Sequence, residues 1–197
     1  MKTFYLTRHG QTDSNLSGIL QGQSLDAPLN DMGMKQAKSI GEYLKTQDHL
    51  IDRIISSDLI RSYQTAQIIG EILGVGVETD VRLREMNYGS WEGNFLDELM
   101  KTPEGKIWKE NPSKWQIENS ETVKAVQDRI VNAIKDYLQR FDHPLIVSHG
   151  ITISAFLLYV KHLSLDEIKE YVPQNTKIYQ FSFEDGEFEE CKKSSNI

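Results

Sequence analysis

With 197 residues, 39% of them hydrophobic, the chain is long enough to bury one core, and a single domain over residues 1–197 carrying an inserted segment is the default expectation. A formal net charge of −7 argues against nucleic acid and anionic membrane surfaces as partners, so an anionic small substrate would have to be met by a local cluster of cations. The single cysteine, Cys191, excludes an internal disulfide; with no signal-peptide pattern and no apolar run long enough to span a bilayer, this points to the cytoplasm.

Residues 2–6, KTFYL, form a short apolar run that predicts a buried strand. It stops at Thr7-Arg8-His9-Gly10, so the carboxyl end of the strand, where open α/β sheets bind ligands, carries a guanidinium and an imidazole side by side. Arg8 can grip two phosphate oxygens with its planar fork, and a neutral His9 can attack phosphorus. Gly10 lets the backbone turn away, and Thr12, Ser14 and Asn15 add polar donors. A lone Arg-His pair is more often an ordinary surface feature, so the rest of the chain has to supply partners.

Residues 16–30 read as a long loop containing Gln21-Gly22, and Asn30 or Asp31 caps a helix whose apolar positions are Met34, Ala37, Ile40, Tyr43 and Leu44. Residues 52–56 predict a second buried strand, after which Ser57-Asp58 caps a helix carrying Arg61 in its first turn. Arg61 either points into the ligand crevice or is an exposed cation paired with Asp58. Gly74 and Gly76 end that helix, and 75–79 is a short strand. Within Leu83–Gly93, Glu85 stands between apolar neighbours that favour its protonated form; the competing reading is an exposed turn carboxylate.

Residues 95–119 change texture, with Trp108, Trp115, two prolines and the lysines Lys101, Lys106, Lys109 and Lys114, and read as one or two short helices forming a lid insertion over about 92–119. Most of these lysines read as a solvated face. Ser120 is expected to cap the strongest amphipathic helix, with Val123, Val126, Ile130, Ile134, Tyr137, Leu138 and Phe141 on one face. His143-Pro144 breaks it, residues 144–148 predict a third buried strand, and a helix over 151–160 could present free backbone N–H groups to an anion. Between them stands His149-Gly150: a buried, satisfied histidine is the commoner fate of a single His, yet His9 and His149 share one context of apolar strand, His and Gly. A helix around 165–171, Asn175, strands at 177–183 and 187–191 joined by Glu184-Asp185-Gly186, and a frayed tail at 192–197 complete the chain.

Four separated motifs in order resemble the histidine phosphatase superfamily, the group that includes phosphoglycerate mutases, across nearly the whole chain. They are LTRHGQTDSN at 6–15 with Gln21-Gly22, SSDLIRSYQTA at 56–66, LREMNYGSWEG at 83–93, and VSHG at 147–150. The resemblance implies an α/β three-layer sandwich: a mostly parallel twisted sheet, helices on both faces, a small helical lid. It implies that His9 is transiently phosphorylated, that Arg8, Arg61 and His149 surround the phosphoryl group, and that Glu85 is the proton donor. Asn15, Thr12, Gln21, Gly22 and Gly150 would line the phosphate site. Two departures stand out: Glu118-Asn119-Ser120 where many relatives have Gly-Glu-Ser before the long helix, and a lid stretch shorter than the mutases', closer to the phosphatase branch.

The expected activity is a metal-independent phosphomonoesterase of the histidine acid phosphatase type, acting on a small phosphorylated metabolite through phosphohistidine and needing no cofactor. The chain has no P-loop, no His-Glu-x-x-His and no Cys/His spacing suited to zinc. The alternatives are a phosphoglycerate mutase and a non-catalytic phosphate-binding module; the sequence leaves substrate identity and oligomeric state open.

Overall fold

The computed structural model describes residues 1–46 and 50–191. Strands β1 (Lys2–Arg8), β2 (Arg53–Ser56), β3 (Val77–Thr79), β4 (Pro144–Ser148), β5 (Ile178–Glu184) and β6 (Glu187–Glu190) form one sheet in the order β3-β2-β4-β1-β5-β6. The first four run parallel, and β5 and β6 add an antiparallel hairpin at the edge beside β1. Asp185 and Gly186, both at positive φ, make the two-residue turn of that hairpin, the geometry that matches the twist of its strands.

Strand alternation sorts the core into two faces. Phe4, Leu6, Ile55 and Ile146 pack against α6 (Val123–Arg140) and α7 (Gly150–Val160), while Tyr5, Ile54, Leu145 and Val147 pack against α2 (Asp31–Thr46) and α3 (Ile60–Leu73). The sheet is therefore the middle layer of an α/β sandwich, as the motifs imply. A third cluster joins Tyr88, Trp91, Trp108 and Trp115 to the first turn of α6 and one side of α7. It seats the segment expected as a lid, which folds as α4 (Leu96–Leu99), α5 (Pro103–Glu110) and a 3₁₀ turn at Pro112–Lys114.

Several boundaries differ from the sequence reading. The expected loop at 16–30 begins inside a short helix, α1 (Asp13–Ser17), because Thr12 and Asn15 form a reciprocal capping box. Neither Ser57 nor Asp58 caps α3; the Asp26 carboxylate, from a distant loop, accepts from the Ile60 N–H at 2.8 Å, and Asp58 pairs with Arg84 at 2.5 Å. The cap of α6 is Thr122, which accepts from Ala125 N–H, whereas the Ser120 hydroxyl turns back to the Ile117 carbonyl. The triplet preceding the long helix is thus Ser120-Glu121-Thr122, two residues beyond Glu118-Asn119-Ser120. No described helix is long and apolar enough to cross a membrane. The tail at 192–197, expected to fray, lies outside the described residues.

Candidate active site

Strand register creates the site. Arg8 lies opposite Ser148 in the parallel β1/β4 pair, and the His9 N–H donates to the Ser148 carbonyl at 3.0 Å, so His9 and His149 leave the sheet together. Their ring centroids are 5.0 Å apart with planes at 57°. His9 Nδ1 stands 2.7 Å from the Gly10 carbonyl oxygen. A carbonyl only accepts, so Nδ1 carries the proton and Nε2 keeps its lone pair. The backbone around the ring is fixed as well: Gly10 N–H donates to Thr65 Oγ1 at 3.0 Å, and Asn175 Nδ2 donates to the His9 carbonyl at 2.8 Å. Gly10 is required here because a Cβ would lie 2.5 Å from the Gly33 carbonyl oxygen.

Arg61 is 1% exposed and donates to the Gly22 carbonyl at 2.7 Å, with Asp26 at 3.5 Å as its ion-pair partner. It is neither a surface cation nor the partner of Asp58. Arg8 donates from one terminal nitrogen to the Pro173 carbonyl at 2.8 Å. Nε of each arginine and both ring nitrogens of His149 are buried without a hydrogen-bond partner among the described residues. Buried polar atoms are normally satisfied, so the two guanidinium Nε–H groups and the ring N–H of His149, three unpartnered donors in one neighbourhood, describe a receptor for an acceptor-rich group. Burial, then Arg61 and Arg8, holds the His9 imidazole well below its ordinary pKa. Burial and Arg61, followed by His9 and Arg8, do the same to His149. Both rings are therefore neutral, and the fixed positive charge comes from the guanidiniums.

Glu85 departs from expectation in its surroundings. Its carboxylate is not walled by apolar neighbours but accepts from the N–H groups of Met86 at 2.8 Å and of Ile151 and Thr152 at 3.2 Å each. The first-turn N–H groups of α7 that were expected to face a bound anion thus face this carboxylate, which suits the positive end of the helix dipole. A Cβ at Gly150 would lie 3.2 Å from Val172 Cγ1, a tight contact, and at ordinary contact distance, 3.5 and 3.6 Å, from the Arg8 guanidinium carbon and Glu85 Oε2.

Sequence reasoning missed the groups that hold the Glu85 backbone. Arg129 on α6 donates to the carbonyls of Arg82 (2.7 Å), Arg84 (2.7 Å) and Glu85 (3.0 Å) and pairs with Glu121 at 2.8 Å. Gln23 donates to the Glu85 carbonyl at 2.7 Å and to Glu121 at 3.2 Å, and Glu121 accepts from the Asn87 N–H at 2.8 Å. No local pattern announces this clamp; its one sequence trace is the Glu121–Arg129 pair astride the start of α6.

Arg8, His9, Arg61, Glu85, Asn15, Gln21, Gly22 and Gly150 all line one cavity of about 530 Å³ at the carboxyl ends of the parallel strands. Thr12 does not: it is fully buried and its hydroxyl caps α1, which orients Asn15. His149 is likewise fully buried beside His9, off the cavity surface. Tyr88, Trp91, Leu96, Met100, Trp108, Ile151, Val172, Lys169 and Asn175 complete most of the wall, none of them assigned a role from sequence.

A family model, the histidine phosphatase superfamily (branch 1), matches residues 4–194. The chain belongs to this superfamily. Among histidine phosphatase superfamily relatives, it is 31% identical over 188 residues to "Putative phosphoserine phosphatase 2" of Hydrogenobacter thermophilus, covering 93% of this chain and 91% of that one. It is 37% identical over 163 residues to "Probable phosphoglycerate mutase GpmB" of Yersinia pestis, covering 80% and 74%. The solved structure of a mycobacterial glucosyl-3-phosphoglycerate phosphatase complexed with VO3 superposes with a TM-score of 0.87 at 27% identity, covering all of both chains. The superfamily relatives thus include phosphatases and mutase-like proteins.

Proposed function

We propose that this protein is a phosphomonoesterase of the histidine acid phosphatase type, working through a phosphohistidine on His9. The supporting observation is the conjunction of a tautomer-locked His9, 2.7 Å from the Gly10 carbonyl, with half-buried Arg8 and buried Arg61 and His149, each of which carries an unsatisfied donor. A dianionic phosphoryl group held between the guanidiniums is attacked by His9 Nε2; the bond from phosphorus to the alcohol oxygen breaks, and protonated Glu85 delivers its proton to the leaving alkoxide. Ionised Glu85 then takes a proton from the water that attacks phosphohistidine, releasing inorganic phosphate and restoring both side chains. Arg8 and Arg61 stabilise charge on the equatorial oxygens throughout, and Asn15, Gln21 and the Gly22 and Gly150 backbone shape the rest of the phosphate site.

Two observations favour hydrolysis over isomerisation. A mutase has to hold a bisphosphorylated intermediate, yet Lys101 pairs with Glu98 on the surface and Lys109 bonds the Met100 carbonyl, so neither lines the cavity. The wall beyond the phosphate site is largely apolar. The deciding experiment quenches one sample of the enzyme during turnover of ³²P-labelled p-nitrophenyl phosphate and gives a separate, active sample 3-phosphoglycerate with and without bisphosphoglycerate. Acid-labile label lost in His9→Ala, with free phosphate as product, is expected; 2-phosphoglycerate forming faster than phosphate would establish the mutase instead.

A further inference from the structure

Half of the cavity wall plays no part in holding phosphate. Tyr88 and Trp108 meet edge to face at 6.0 Å, and Trp108 and Trp91 are backed by Trp115 at 5.2 and 4.8 Å. Trp115 is 1% exposed, so the aromatic wall is braced from behind and presents a preformed apolar surface to the cavity. Met100, Ile151 and Val172 add aliphatic surface to the same cavity. Val172 is 39% exposed, so apolar surface continues toward the mouth.

Charge on this side is sparse. Among the described lining residues Lys169 is the one cation apart from Arg8 and Arg61, and its ammonium is tied to the Lys109 carbonyl. Glu85 is the single acid among the described lining residues, and its carboxylate is occupied by backbone N–H groups. An amino-acid phosphate brings an ammonium that would meet no free carboxylate here, and a polyol or bisphosphorylated alcohol would leave polar groups desolvated against indole and thioether.

We propose, resting on the phosphomonoesterase reading of the same site, that the substrate is a phosphomonoester of an apolar alcohol, with an aryl or branched alkyl group seated between the Tyr88–Trp108 wall and Met100, Ile151 and Val172. A cavity of about 530 Å³ leaves room for such a group beyond the phosphate. The hydrophobic contribution is a binding effect, so it is separable from the chemistry.

The test measures dissociation constants of two non-hydrolysable probes, 2-phenylethylphosphonate and ethylphosphonate, by calorimetry, and of 3-phosphoglycerate by competition. The aryl probe is expected to bind about 10–100-fold more tightly than the ethyl one, the factor for burying one phenyl ring. 3-Phosphoglycerate is expected to bind no better than ethylphosphonate. Met100→Glu, and independently the half-exposed Val172→Asp, should each shrink the aryl-to-ethyl ratio at least about fivefold; because the ratio is taken within one protein, partial unfolding does not mimic it. An aryl-to-ethyl ratio below about threefold, or tighter binding of 3-phosphoglycerate, overturns this substrate class whatever the enzyme catalyses. Absence of phosphohistidine with the ratio intact would overturn the hydrolase reading and leave the apolar subsite standing.

Discussion

In the proposed mechanism His9 and Glu85 act in different ways, and substitution separates them. His9→Ala removes the proposed nucleophile; turnover should fall to background while circular dichroism stays native, because the ring nitrogen bonds the carbonyl of its own loop. Glu85→Gln keeps a polar group against the Ile151 and Thr152 N–H groups but has no proton to give. It should slow hydrolysis of an alkyl phosphate by about 10²–10⁴ and of p-nitrophenyl phosphate much less, since nitrophenolate leaves unaided. Equal losses on both substrates, read as kcat/KM, would remove Glu85 from the acid role. At this scale the two histidines, both arginines and the carboxylic acid were legible, because each sits in a motif that names its residue type. What was not legible is how Glu85 is housed: neighbours in sequence suggested apolar walls, whereas the folded chain surrounds it with donors from a helix that starts 65 residues later.

Helix caps and clamps belong to the level of elements. Thr122→Ala should lower unfolding free energy by about 1 kcal/mol through loss of the bond to Ala125 N–H, measured by urea denaturation. Arg129 ties α6 to the segment carrying Glu85 through three carbonyls and a carboxylate, and it is only 17% exposed. Arg129→Met removes its bonds to all three carbonyls and the charge paired with Glu121, which keeps Gln23 and the Asn87 N–H, and should cost about 2–4 kcal/mol. Because the clamp positions the acid, its loss should depress alkyl phosphate turnover more than p-nitrophenyl phosphate turnover at temperatures where the variant is folded; a uniform loss would make the clamp purely structural. Periodicity located the helices and strands well, since burying one face demands it. It misplaced two caps, because the Asp26 carboxylate reaches α3 from 34 residues away and Ser120 has a nearer partner in Ile117.

For the molecule as a whole, burying two neutral imidazoles links folding to pH. His9 and His149 are 2% and 0% exposed and both are held well below the ordinary value of 6.5. The unfolded rings protonate near 6.5 and the folded ones do not, so as pH falls below 6.5 the unfolded state binds the extra protons. Stability is full above that pH and declines below it, by up to about 1.4 kcal/mol per pH unit for each ring until its folded pKa is reached. Urea midpoints at pH 7.5 and 5.5 measure this; His149→Gln should remove close to half of the difference, and a flat wild-type profile would refute the neutral assignment.

The order of apolar strands, the Arg-His-Gly and Ser-His-Gly ends and the four spaced motifs were enough to determine the α/β class and to pick out the candidate site groups, because local periodicity and residue chemistry are written along the chain. Only the tertiary structure decided that Thr12 is buried as the cap of α1, that Asp26 backs Arg61, and that Tyr88, Trp91 and Trp108, braced by Trp115, build one wall of the cavity. Those outcomes depend on which distant segments become neighbours, and neighbour distances come from packing the whole sheet and its helices, not from any window of sequence.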